Sequence, residues 1–217
     1  MIPKINVKYN MRLKNLIQLY KSMRILVVNN ESLHSHQLVN ACRHNGRYDV
    51  ESILWYELPN KDLTSFDLIV LSGTSKYSIR MNKHLYSYQQ KLILESDKPI
   101  IGICGGFELI CDAYGIPLLK SLVKISGIFP LTPIASDKIL IPGMIYSVYE
   151  RHKMYVPHVD FPLVPLATTN GNIALIKHKY KPIYGMQFHP EVRKSGSNGL
   201  LILHNILKVM DESPNTT

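Results

Sequence analysis

From Arg24 onward, short runs of unbroken apolar residues alternate with stretches whose apolar positions recur at helical spacing. RILVV (24–28) reads as a buried strand and SLHSHQLVNACRHNG (32–46) as a helix ending at Gly46. VESILWYE (50–57) and FDLIVLSG (66–73) follow as strands, HLYSYQQKLILES (84–96) as a helix and KPIIGI (98–103) as a strand. FELICDAYG (107–115) is a helix stopped by Gly115 and Pro117. Strands that are apolar throughout, separated by helices, predict an α/β fold with a mainly parallel sheet covered by helices on both faces. Beyond Leu118 the texture changes to strand-like pieces rich in Pro and Gly: LVKISGIFPLT, MIYSVYE, LVPLATT, NIALIKH and PIYGMQF. These form an added β region in the C-terminal half, and SNGLLILHNILKVM (197–210) closes the domain with a helix. The pattern predicts one domain over 24–210, followed by a polar tail at 211–217.

Residues 1–23 stand apart. Leu13, Leu16, Ile17 and Tyr20 fall at i, i+3, i+4 and i+7, which predicts a short amphipathic helix over 11–23. It could dock on the domain, contact a partner or a membrane surface, or be an upstream extension with Met23 as the true start. Its shortness and lack of Trp or Phe argue against the membrane role. The segment carries five basic and no acidic residues, so much of the chain's +9 formal charge sits there. The clusters Arg151-His152-Lys153 and Lys177-His178-Lys179 are short, no nucleic-acid-binding signature appears, and solvated surface charge is the simpler reading.

The three cysteines (Cys42, Cys104, Cys111) make neither a CxxC pair nor an even framework, which suits a reducing compartment better than a secreted scaffold. No apolar run is long enough to span a bilayer, and Lys8, Arg12 and Lys14 interrupt any signal-like segment. A cytoplasmic location without membrane or nucleic-acid partners is the expectation.

Candidate chemistry begins at GICGGFE (102–108), where a strand turns straight into a helix at Cys104. Such an elbow projects its residue from the carboxyl edge of the sheet, where open α/β sheets bind ligands. The turn is tight and needs neighbours without Cβ, which Gly102, Gly105 and Gly106 supply. The helix N-terminus beside Cys104 favours a thiolate, and the Gly105 N–H would face a developing oxyanion. A buried, inert cysteine in a glycine-rich turn would look the same. YGMQFHPEV (184–192) supplies a base: Pro190 biases His189 towards extended backbone, so His189 and Glu191 share a side. Glu191 can then hold one ring nitrogen while the other faces Cys104. In DLIVLSGTSKYS, Gly73 follows a buried strand, where its N–H could be a second oxyanion donor or where glycine could simply complete a turn.

Together LSG (71–73), GICGGFE (102–108) and YGMQFHPEV (184–192) resemble the class I glutamine amidotransferase domain, in order and spacing, from Arg24 to about Met210. The resemblance implies a flavodoxin-like α/β domain, a Cys104–His189–Glu191 triad, no cofactor and no metal. It implies that Cys104 attacks the side-chain amide of glutamine or a related γ-glutamyl amide, that ammonia leaves and that water hydrolyses the thioester. VYERHKMYVPHVDFPLVPLATT and IKHKYKPIYGMQFHPEV are most similar to the amidotransferase part of GMP synthetase, which also directs attention to Gln187, Arg151 and His152 as substrate-binding positions.

The pattern departs in two places. Glu108 stands where the family has a glutamine that helps to hold the substrate amide. A carboxylate accepts hydrogen bonds but donates none unless protonated, and its charge opposes a thiolate nearby. Arg151-His152-Lys153-Met154 replaces the Ser-His-Gly-Asp of GMP synthetases. The chain also lacks an SGGxDS pyrophosphatase loop, so the resemblance implies that a separate synthetase subunit would consume the ammonia. The alternative is a catalytically weak homologue acting as a binding or regulatory module.

Overall fold

The structure, a computed structural model, describes residues 22–212. Apart from Ser22 and Met23, the helix expected over 11–23 lies outside the described residues, as does the tail after Glu212.

Five strands run parallel: β1 (Arg24–Asn30), β2 (Asp49–Leu54), β3 (Leu68–Thr74), β4 (Ile100–Ile103) and β9 (Ile183–Met186). Ile25 lies opposite both Val50 and Leu68, Ile69 opposite Ile100, and Gly102 opposite Gly185. Their lateral order, β2-β1-β3-β4-β9, is that of a flavodoxin-like sheet. Between β4 and β9 the chain inserts β5 (Leu119–Pro133), β6 (Tyr146–Tyr155), β7 (Leu163–Thr169) and β8 (Asn172–His178), which extend the same sheet antiparallel beyond β9.

The unbroken apolar character of β1 follows from its position. Ile25 and Val27 pack with Leu38 and Cys42 of α1 (Ser35–Arg43) and with Ile202, Leu203 and Ile206 of α4 (Gly199–Glu212). Leu26 and Val28 face the other way, towards Ile93 of α2 (Ser87–Glu95) and Phe107 and Ile110 of α3 (Gly105–Ala113). A strand with helices on both sides has no solvent face, so alternation disappears.

Several element boundaries differ from the sequence expectation. The helix expected over 107–115 is Gly105–Ala113, and the closing helix expected over 197–210 is Gly199–Glu212, which takes in the first two residues of the expected tail. The strand expected over 50–57 ends at Leu54, because the Glu57 carboxylate accepts from the Leu54 N–H at 2.6 Å and caps a 3₁₀ turn over Trp55–Asn60. The helix expected over 32–46 shortens to α1, since His44, Asn45 and Gly46 all take positive φ. The first residues of the helix expected over 84–96 instead make a separate 3₁₀ turn, Lys83–Tyr86. In the added region, β5 is a single strand of 15 residues whose pairing with β6 is interrupted between Lys120 and Ile125. Further along, Thr132 and Pro133 transfer to β7, so β5 and β6 form an arm that leaves the main sheet and returns over the carboxyl end of β4.

Candidate active site

Cys104 sits between β4 and α3 with φ 50° and ψ −101°, a conformation that non-glycine residues rarely adopt. Such a residue costs on the order of 1–3 kcal/mol and survives only when its surroundings over-determine it. They do so here. The Cys104 N–H donates to the Met186 carbonyl of β9 at 2.7 Å, and the Glu108 N–H donates to the Cys104 carbonyl at 2.9 Å. A Cβ on Gly106 would lie 2.2 Å from the Leu71 carbonyl oxygen, and one on Gly102 would lie 2.4 Å from the Gly106 oxygen. Helix α3 can start directly on β3 and β4 only because those side chains are missing.

His189 follows β9. Its N–H donates to the Tyr149 carbonyl of β6 at 2.8 Å, and its ring Nδ1 is 2.8 Å from Glu191 Oε1. Both side chains are buried. The ring also interacts with Cys104. Burial opposes charge on the imidazole, but Cys104 and Glu191 together outweigh it and hold the His189 pKa well above its ordinary value. A Cβ on Gly73 would come within 3.3 Å of Cys104 Cβ and 3.4 Å of His189 Cε1, so glycine is what lets the end of β3 approach both residues. Gly105 lines the same cavity as Cys104, as the first residue of α3. The structure therefore brings Cys104, His189, Glu191, Gly73 and Gly105 to one point at the carboxyl edge of the sheet.

A family model of the class-I glutamine amidotransferases matches residues 26–209. The chain belongs to that family. A glutamine-hydrolyzing GMP synthase subunit of Methanothermobacter thermautotrophicus is 31% identical over 175 residues, which cover 77% of this chain and 88% of that protein. The glutamine-hydrolyzing GMP synthase of Ehrlichia canis is 28% identical over 123 residues, covering 53% of this chain but 23% of that longer protein. A glutamine amidotransferase from Thermotoga maritima superposes with a TM-score of 0.75 at 15% identity, over 89% of this chain and 100% of that one. At that identity the likeness is one of fold.

The amidotransferase cavity holds about 560 Å³, several times the volume that a single water occupies in the liquid. Cys104 and His189 lie in its wall and Glu108 is its one acidic lining residue. Glu108 is buried in the first turn of α3, and burial pushes its pKa up to about 7 against the pull of His152, Gln187 and His189. Gln187 does not line the cavity; it lies behind, with Nε2 3.4 Å from Glu108 Oε1 and 4.0 Å from Cys104 Sγ. Arg151 is exposed at the mouth, with its carbonyl oxygen 4.0 Å from Cys104 Sγ. His152 is buried, its Nδ1 donating to the Met154 carbonyl at 2.6 Å and its Nε2 3.4 Å from Glu150 Oε2. Glu150 is held in turn by the Thr169 hydroxyl at 2.6 Å. Among the described residues, no group of three or more His, Cys, Asp and Glu side chains is arranged to hold a metal ion, and no helix is long and apolar enough to cross a membrane.

Sequence reasoning missed two features of this site. His34, at the start of α1, stands edge-on to His189 with ring centroids 5.0 Å apart and lines the cavity. No motif marks it, because only the fold brings the β1–α1 loop to the β9 end. The second is the basic mouth, where Lys76, Arg80, Lys120, Lys124, Arg151 and Lys153 converge from three separate segments. The triplet at 151–153, read as surface charge, is one side of that rim. A signal was present in the replacement of Ser and Gly by Arg151 and Lys153.

The three thiols should differ sharply in reactivity. Burial pushes the Cys42 thiol up, helped by Glu191, and pushes Cys111 up, helped by Glu108 and Asp112. Of the three, Cys104 is the one that opens onto the cavity. Limiting iodoacetamide followed by peptide mass spectrometry is expected to label Cys104 at least about tenfold faster than the other two, since the thiolate is the nucleophile. Preferential labelling of Cys42 or Cys111 in the folded protein would contradict this.

Proposed function

We propose that this amidotransferase hydrolyses the side-chain amide of glutamine, or of a related γ-glutamyl compound, and supplies the ammonia to a separate synthetase subunit. The observation that carries the reading is His189, turned towards Cys104 with its second nitrogen 2.8 Å from Glu191. In this mechanism His189 already holds the proton of the Cys104 thiol when the sulfur attacks the amide carbon. The C=O electron pair moves onto oxygen, where the N–H groups of Gly73 and Gly105 stabilise it. Collapse of that intermediate breaks the C–N bond, and His189 protonates the leaving nitrogen to give ammonia and a Cys104 thioester. Water then attacks the thioester with His189 as base, releasing the carboxylate product and restoring the thiol. Glu191 keeps the ring oriented and balances its charge without taking the proton. The basic mouth supports an amino-acid amide as substrate, because it offers cations to an α-carboxylate.

Steady-state ammonia release from glutamine, with and without a synthetase recovered from the native cell, tests the proposal. Turnover that needs Cys104 and rises with the synthetase is the expected result. Glu108 and the 151–154 replacements favour a second reading, a weakly catalytic homologue acting as a regulatory module. Absence of Cys104-dependent turnover on every γ-glutamyl amide, with the partner present, would select it.

The rim carries its own prediction. Lys124→Glu should raise KM for glutamine, whose α-carboxylate the rim would attract, by about two- to fivefold with kcat nearly unchanged, and added salt should shrink the difference, as expected for exposed charges. An unchanged KM at low salt would remove the rim from substrate capture.

A further inference from the structure

We infer that Glu108 serves this amidotransferase as a hydrogen-bond donor: it keeps its carboxyl proton and donates a hydrogen bond through it to a carbonyl or carboxylate oxygen of the bound amide, so that ionising this one residue loosens the substrate. The inference rests on the proposed amide substrate and adds what selects it. Glu108 stands one helical turn from Cys104, its N–H bonded to the Cys104 carbonyl and its side chain in the wall of the cavity that also contains Cys104 and His189. The family pattern has glutamine here, with both a donor and an acceptor. A carboxylate would keep only the acceptor half, whereas a carboxylic acid keeps both in nearly the same shape.

The surroundings suit the acid. No lysine or arginine among the described residues contributes to holding the Glu108 charge, although six of them line the mouth of the same cavity. Among the described residues its side chain has Gln187 Nε2 at 3.4 Å as hydrogen-bond partner, a long neutral contact where a buried carboxylate wants several short ones. In the acid form Oε1 still accepts from Gln187 while the hydroxyl is free for a ligand. The titratable groups facing Glu108 come from several elements: His152 on β6, His189 after β9, Tyr86 before α2, and Cys104 and Cys111 at the start and within α3. The two histidines pull its pKa down and burial pushes it up, with burial ahead. The donor is therefore present below about pH 7 and is lost as pH rises through that value, when a negative charge also appears in the thiol's pocket.

Binding separates this role from catalysis. In a Cys104→Ala background, which cannot turn over, L-glutamine affinity is measured by titration calorimetry at pH 6 and pH 8. Affinity should fall about tenfold between the two, following the fraction of Glu108 in the acid form, and the Cys104→Ala/Glu108→Gln protein should bind alike at both. Equal affinities in the single variant overturn the inference. So does a pH dependence that survives Glu108→Gln, which would belong to His152 or His189, and so does a failure of glutamine to bind at either pH. If the Gln variant does not fold, Glu108→Met is used instead and is expected to bind as weakly at pH 6 as the single variant does at pH 8; pH 6 affinity equal to that of the single variant overturns the inference. Ammonia release by the wild-type chain is measured alongside. Turnover with pH-independent binding removes the Glu108 role and leaves the glutaminase reading standing, whereas pH-dependent binding without turnover does the reverse.

Discussion

Cys104→Ala should lower ammonia release from glutamine by at least about 10⁴-fold, the scale on which removing a covalent nucleophile usually acts. Alanine keeps a Cβ and the elbow conformation, φ 50° and ψ −101°, so the backbone around the site has no reason to move. The sulfur is all that is lost. His189 should respond as well. The Cys104 charge and hydrogen bond are among the influences that raise its pKa, so in the alanine variant the imidazole should titrate closer to its ordinary value. NMR of the His189 ring in both proteins would show this independently of turnover. Retention of more than about 1% of wild-type activity would mean that another group attacks the amide, since each tenfold in rate corresponds to only about 1.4 kcal/mol.

Gly106→Ala should destabilise the protein by about 3 kcal/mol, for a reason unrelated to helix preference. Within a helix, replacing glycine by alanine ordinarily adds about 1 kcal/mol of stability. Here the new methyl would meet the Leu71 carbonyl oxygen at 2.2 Å and its carbon at 2.9 Å, and these are backbone atoms of a buried strand that cannot step aside. Overpacking of that kind costs about 1–3 kcal/mol or more, against a total stability of about 5–15 kcal/mol. Thermal unfolding should fall by roughly 6–12 °C for a domain of this size. Gly115→Ala is the comparison. Nothing lies within 4 Å of its Cβ position, and only its φ of 75° disfavours alanine, so its cost should stay near ~1–2 kcal/mol. Equal losses at the two sites would show that the α3–β3 contact is not what requires Gly106.

The sequence by itself determined the parts of this protein whose information is local. The buried parallel strands were legible because a strand covered on both faces must be apolar throughout, as ILVV (25–28) and LIVL (68–71) are. Cys104 stood out because a strand passing straight into a helix needs glycines that no ordinary turn would place so densely. His189 and Glu191 stood out as a motif, but the extended backbone expected to put them on one side is instead a turn after β9, closed by the Val192 N–H donating to the His189 carbonyl at 3.3 Å. The glutamate at 108 was visible as a departure from a pattern. What it does there was not visible, because its proton affinity depends on which neighbours exclude water and which carry charge. Those neighbours, His152, Gln187 and His189, lie between 44 and 81 positions away along the chain. Tertiary structure likewise decided that Gln187 lies behind Glu108 and not in the cavity wall. It decided that His34 meets His189 and that the β5–β6 arm carries Lys120, Lys124, Arg151 and Lys153 to the mouth. The strand character of β5 was legible in LVKISGIFPLT, but its pairing with β6 and then β7 is set by contacts between distant segments. Local backbone preference made the Cys104 elbow legible; desolvation and charge, which only the folded chain creates, set the protonation of the groups around its cavity.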